Sequence, residues 1–367
     1  MTPRSGIALF FAFSLFAVFA EGGCGKYGTT PTPTPIPSGT VSPFPDTLFV
    51  QDTSSKTIRI YENASGHNGF AFANLTLSAP TVSLNDVVYS PDKNVLWMPS
   101  CAGRPCPGVS GPIDVYAMPT ALPNNSGPTS VVSLANINGA AAYDDNNDLL
   151  FVLVNNAPVV QIYQNASTLG TGGNTQPVAS ATLNMTDPQI QYSPPPQPQE
   201  IYYDKTRDIL FVSDFGSIVA AFDSFGAQAE AAVVAHTNIN LSSSTQITGL
   251  LQTDGMAYNS SQDVLFVVSD QHGQLTVLSQ ASTTNGPAGH AQVVTGFANP
   301  KGLAYDDIRN ILFVYDPGNP LGQGQVLSYP NATTLSGHQN NWKGRKGFVD
   351  SFVPSLSGFG IAIDETH

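Results

Sequence analysis

The chain has 367 residues, enough for a large core, and only 11% of them are charged, against roughly 25% in an average soluble domain. Its 33 Gly and 29 Pro are the turn residues of a strand-rich protein, so the polar surface falls to Asn, Ser, Thr and Gln. A net charge of −13 excludes sequence-independent nucleic-acid binding, which needs Lys and Arg to neutralise phosphates.

Residues 1–20 hold a single Arg and then an apolar run from Ile7 to Ala20. That run is too short to span a bilayer comfortably and suits the core of a signal peptide. Two cleavage points compete. Val18-Phe19-Ala20 has small residues at its key positions, whereas Gly22-Gly23-Cys24 resembles the end of a bacterial lipoprotein box, with Glu21 where Leu is expected. Thr29 to Pro37 alternates Thr and Pro, an extended, semi-rigid spacer of the kind that holds a domain off a membrane. Farther on, Cys101 and Cys106 flank Ala-Gly-Arg-Pro. In an oxidising compartment they are expected to pair, leaving Cys24 for acylation and a lipid anchor. The alternatives are loss of Cys24 with the leader, a free thiol, or a metal pair at 101 and 106 that no third ligand accompanies.

From residue 46 onward one phrase is written six times, a Leu-aromatic pair opening a strand: Leu48-Phe49, Leu96-Trp97, Leu150-Phe151, Leu210-Phe211, Leu265-Phe266 and Leu312-Phe313. A period near fifty residues marks repetition of one supersecondary unit. A short β segment precedes five of the pairs, at Val87–Tyr89, Ala141–Tyr143, Ile201–Tyr203, Met256–Tyr258 and Leu303–Tyr305. The missing copy stands at the end of the chain as Gly360-Ile361-Ala362-Ile363-Asp364. Such a split has no purpose in a linear stack, but it closes a ring and removes the exposed sheet edge. A third, alternating strand follows each pair (Thr57–Tyr61, Val159–Tyr163, Gly324–Tyr329) and a fourth follows that (Ala73–Leu77, Ser130–Leu134). The expected fold is all-β, a six-bladed β-propeller of four-stranded antiparallel blades closed by the C-terminal strand. The chain thus divides into a signal peptide over 1–23, a tether over 24–45 and a propeller over 46–367, monomeric and exported to the cell envelope or secreted.

Gly-Leu-Ala-Tyr-Asp (302–306) followed by Ile311–Asp316, with looser copies at 255–270 and 200–214, resembles the NHL and YVTN class of six-bladed propellers. That resemblance implies the fold over about residues 47–364 and leaves function open, since such propellers serve as enzymes, scaffolds and receptors.

Most acids fit the repeat. Asp144, Asp204, Asp306 and Asp364 end inner strands, Asp148, Asp208 and Asp263 precede second strands, and Asp52, Asp214 and Asp316 end them. Short polar side chains there bond nearby backbone in hairpins. Asn63-Ala64-Ser65, Asn165-Ala166-Ser167 and Asn331-Ala332-Thr333 share one repeat position and read as turns, or as glycosylation acceptors in a eukaryote. The six His residues share no repeat position and show no ligand spacing.

Insertions at 101–106, 193–198, 317–323 and 339–357 fall in loops expected on one face, the usual place for function on a rigid scaffold. Just before the inner strands on that face stand the ligand-face candidates Asn85, Asp86, Glu200, Asp254 and Lys301. Leu84-Asn85-Asp86 and Asp254-Gly255-Met256 resemble turns of the gluconolactonase-like propellers. The resemblance implies Ca2+ held by oxygen donors, here Asn85, Glu200 and Asp254, with Glu200 as third donor because Phe359 occupies the place of that family's Glu. Such a cation would polarise a lactone or ester carbonyl. Two functions follow as expectations. One is a module at the cell surface, lipid-anchored through Cys24, that binds a protein or small molecule; the other is a Ca2+-dependent lactonase-like hydrolase.

Overall fold

The computed structural model describes residues 46–79, 86–100, 111–134, 137–155, 157–171, 175–185, 197–317, 325–338, 345–349 and 360–365. The signal peptide, the tether, Cys24, Asn85 and the Cys101–Cys106 pair lie outside them.

Six small sheets form the blades, numbered here by their Leu-aromatic strands in chain order. Blade one runs, from centre to rim, Ile361–Asp364, Thr47–Asp52, Thr57–Glu62 and Leu75–Ser78. The C-terminal strand therefore completes the first blade, with Thr47, Leu48, Phe49 and Val50 opposite Asp364, Ile363, Ala362 and Ile361. The inner strands of blades two to six are Val88–Ser90, Ile137–Asp144, Pro198–Asp204, Met256–Asn259 and Gly302–Asp306. Blade six ends in Lys346–Val349, so the expected insertion over 339–357 is interrupted by a strand. The alternating apolar pattern of blade six's third strand, Gln325–Pro330, is completed by that edge.

The Leu-aromatic pair explains the ring. Successive side chains of a strand point to opposite faces, so each Leu packs toward the preceding blade and each aromatic toward the next. Leu210 joins the core between blades three and four, while Phe211 joins the core between four and five. All twelve residues of the six pairs are fully buried. Burying one such side chain contributes about 1.5–3 kcal/mol, and the alternation spreads that contribution over every seam.

A second repeated device uses the turn acids, with a longer reach than the sequence implied. Asp148 accepts from the Tyr143 hydroxyl at 2.8 Å and also from the backbone N–H and hydroxyl of Ser167, at 2.8 and 2.7 Å. It thus ties the first hairpin of blade three to the turn after its third strand. Asp263 repeats this with Tyr258 and Ser282, and Asn310 takes the role with Tyr305 and Thr333. The Asn-Ala-Ser/Thr triplets are these turns: Asn63, Asn165 and Asn331 adopt left-handed φ of 54°, 53° and 55°, which Asn tolerates.

The four-strand expectation needs two additions. Blades three to six each carry a fifth, parallel strand taken from the next blade around the ring, for example Ile239–Ser242 beside Ala179–Asn184 and Gly69–Phe70 beside Lys346–Val349. Asn238 and Asn285 reinforce two of these straps by accepting from the Ser180 and Gln246 backbone N–H groups, and Asn124 accepts likewise from Thr76 at the edge of four-stranded blade one. The straps cover sheet edges that would otherwise template aggregation. The other addition is a helix, Phe225–Ala235, between the third and fourth strands of blade four. Its Ala-rich sequence favours helix, Phe225, Ala229, Ala232 and Val233 pack on the core of blades three and four, and Asp208 caps its start by accepting from Gly226 and Ala227.

Candidate functional site

The inner strands surround a cavity of about 310 Å³ on the ring axis. Because those strands run the same way, one mouth gathers their beginnings and the other their ends.

At the first mouth the structure brings four sequence candidates to one rim and separates their roles. Asp86 spans two blades: its carboxylate accepts from the Val87 and Ala141 N–H groups at 2.8 and 3.3 Å. Glu200, 6% exposed, lines the cavity and accepts from Ile201 N–H at 3.3 Å. Asp254, 7% exposed, accepts from the backbone N–H of Asp270 at 2.8 Å. Burial, followed by the adjacent Asp270 carboxylate, pushes its pKa up to about 7. Lys301 is equally buried and donates to Asp270 Oδ2 at 3.0 Å. Asp254 and Lys301 are therefore joined through Asp270, across the seam between blades five and six. Gly255 is required there, because a Cβ would stand 2.3 Å from the Lys301 carbonyl oxygen.

Asp270 was hidden from sequence reasoning for a simple reason. It sits one residue beyond Ser269, the end of its strand, whereas Asp52, Asp214 and Asp316 end theirs. Asp52 and Asp214 bond their own turns as the turn reading expects, whereas Asp316 reaches back to a loop seventeen and eighteen positions earlier. Asp52 accepts from Ser54, Ser55 and Arg59, Asp214 from the Gly216 and Ile218 N–H groups, and Asp316 from those of Ala298 and Asn299.

The second mouth was not anticipated at all. Asp145, Asp204, Asp307 and Glu365 gather there around Lys205. Lys205 lies 3.0 Å from Asp145 and 3.8 Å from Asp92, and Glu365 accepts from Asp307 N–H at 2.7 Å across the ring closure. Burial, the largest cause for each, raises the pKa of Asp204, Asp307 and Glu365 above the usual carboxyl range.

As a Ca2+ site, the first mouth offers two buried carboxylates, a donor type suited to a hard cation, but also the Lys301 ammonium, which competes for Asp270. Among the described residues no three His, Cys, Asp or Glu side chains are grouped to hold a metal. His272 meets Ser269 at 3.0 Å through Nδ1, a contact within one tight turn.

Neither a protein-family model nor a curated protein matches this sequence. Among solved structures 1169 chains match, a breadth that marks a common architecture and separates it from any one activity. One is a chain of the crystal structure of a nidogen/laminin complex, at 13% identity and a TM-score of 0.51, covering 87% of this chain and 98% of that one. At this identity the likeness is one of fold.

Proposed function

We propose that the chain is an exported, lipid-anchored propeller that binds a protein ligand at the cell surface through the face where the second strands end. The observation that carries this reading is an apolar platform on blade four. Phe215 and Leu251 are 49% and 41% exposed, yet the loops bearing them are laced together. Phe215 N–H donates to Gln197 O at 3.0 Å, and Leu250 N–H to Ser217 O at 3.1 Å. Rigid, exposed aromatic and aliphatic side chains are what interface cores use. The similar propeller in the nidogen/laminin complex supports the reading, as a propeller of this shape found in a protein assembly. The apolar leader, Cys24 and the Thr-Pro spacer motivate export and anchoring.

The test compares the full chain with a Phe215→Ser/Leu251→Ser variant of unchanged thermal stability, using cell-surface extracts. Proteins held by the parent and released by the variant are expected; identical capture by both would sink the platform. Fractionation with and without Cys24→Ala reads the anchor separately. The second reading, a Ca2+-dependent lactonase-like hydrolase, draws on the burial of both Glu200 and Asp254 at one mouth. It requires a thermal shift at millimolar Ca2+ that Asp254→Asn abolishes.

A further inference from the structure

The sequence holds the pairs Asn68-Gly69, Asn138-Gly139 and Asn285-Gly286, and the fold treats each differently. In an Asn-Gly pair the glycine backbone nitrogen attacks the asparagine side-chain carbonyl carbon, because glycine has no Cβ to crowd the approach and its backbone turns freely. Solvent base takes the N–H proton, a bond forms from the glycine nitrogen to Asn Cγ, the Cγ–Nδ2 bond breaks, and the nitrogen leaves as ammonia with a proton from water. Water then opens the five-membered succinimide at either carbonyl. Opening at one restores an ordinary backbone carrying Asp. Opening at the other gives isoaspartate, whose backbone runs through Cγ and is one carbon longer.

Asn138 is closed to this chemistry. It is buried, its Nδ2 donates to Pro198 O at 2.9 Å, and its Oδ1 accepts from Ala140 N–H at 2.9 Å, so both ends of the amide are held. Asn285 is exposed, but its Oδ1 accepts from Gln246 N–H at 3.2 Å, which fixes the side chain across its strap. Asn68 has neither restraint. It is exposed, and its side chain has no hydrogen-bond partner among the described residues. Gly69 beside it adopts a φ of +88°, with open space where a Cβ would stand.

The position of Asn68 gives the reaction a structural consequence, because it is the single residue between two anchored neighbours. On one side the His67 ring packs on Phe348 at 5.3 Å and on Tyr61 at 6.4 Å, and its Nε2 lies 3.1 Å from Glu62 O. On the other side Gly69 and Phe70 pair with Phe348 and Val349 as the strap between blades six and one. Ala71 then enters the core of that seam. Consecutive Cα atoms stand a fixed distance of about 3.8 Å apart, so an extra backbone carbon between these anchors displaces one of them. The strap gives way first, since it is two residues long and Phe70, 78% exposed, adds little packing to hold it.

We propose that Asn68 is a site of spontaneous deamidation and isoaspartate formation, and that its conversion unseats the Gly69–Phe70 strap. The reaction needs only water and sets a chemical lifetime for the seam at which the ring closes.

Ageing the full chain in warm, mildly alkaline buffer tests this, with peptide mass spectrometry and isoaspartyl methyltransferase labelling at each Asn-Gly pair. In the folded chain Asn68 should convert several-fold faster than Asn285, and Asn138 should stay intact. In the urea-unfolded chain the three should convert at similar rates, because the ranking comes from the fold. Ageing should lower the melting temperature of the parent and leave Asn68→Ser unchanged, while Asn285→Ser should age like the parent. The proposal is overturned if Asn68 converts no faster than Asn138 or Asn285 in the folded chain, or if the ranking persists in urea. It is equally overturned if the melting temperature holds after Asn68 has converted, or if Asn68→Ser loses stability as fast as the parent.

Discussion

Five seams between blades share one construction, and the closing seam between blades six and one departs from it. In the five, the aromatic of one blade stacks on a Tyr of the next blade's inner strand: Phe49 on Tyr89, Trp97 on Tyr143, Phe151 on Tyr203, Phe211 on Tyr258 and Phe266 on Tyr305, with centroids 4.4–5.3 Å apart. At the closing seam that place is taken by Ile363, the residue opposite Leu48. Phe313 there packs in an aliphatic setting of Leu48, Val50 and Ile361. The seam is instead held nearer the rim, where Phe348 contacts Tyr61 and His67 at 4.8 and 5.3 Å and the Gly69–Phe70 strap pairs with Lys346–Val349. Blade six is followed in the chain by the inner strand of blade one, as at every other seam, so what distinguishes this seam is the lack of a Tyr in Ile361–Asp364, and the aromatic contacts have moved outward.

Removing residues 360–367 is the harshest way to break this comparison. Blade one loses its inner strand, and the expected outcome is loss of the cooperative thermal transition together with rapid proteolysis. Next in size, Phe211→Ala should cost about 3–5 kcal/mol and Phe313→Ala less, by roughly the 0.5–1.5 kcal/mol of a ring pair, read from urea midpoints at constant m-value. Equal costs would mean that the Tyr partners add nothing beyond buried area. Asp148→Ala removes the acceptor of Tyr143 and Ser167; a loss of about 1–3 kcal/mol is expected, and a neutral result would show the clamp to be dispensable. The gentlest change sharpens the contrast instead. Ile363→Tyr restores the ring at the closing seam and points a hydroxyl toward Asp46, which stands at the clamp position of blade one through Ser65. It should stabilise by up to about 1 kcal/mol, and a lowered melting temperature would show that this seam is shaped for an aliphatic residue.

The architecture was legible because its main signal is local. A Leu beside an aromatic, two residues with opposite faces, specifies both neighbours of a blade at once, and the missing first segment reappearing at Ile361–Ile363 announces closure. What stayed hidden depends on contacts remote in sequence. Asp148 was recognisable as a turn residue, but its partner Ser167 lies nineteen positions away, beyond any hairpin rule. The helix Phe225–Ala235 carried its own signal in five alanines, which the assumption of a uniform blade obscured. At the candidate site Asp86, Asp254 and Lys301 were found because they precede inner strands, and Glu200 because it stands near the start of one, Pro198–Asp204. Asp204, Asp307 and Glu365 were passed over because each looks like an ordinary turn acid until the ring brings their blades to one axis.

The pairing of Thr47 with Asp364 sets beginning and end of the propeller side by side. A short linker between those two positions would turn the chain into an endless belt, and a new opening could then be cut in any exposed hairpin. Gene order among the blades is in that sense a historical accident, and circularly permuted versions offer a direct route to moving the seam that lacks its tyrosine.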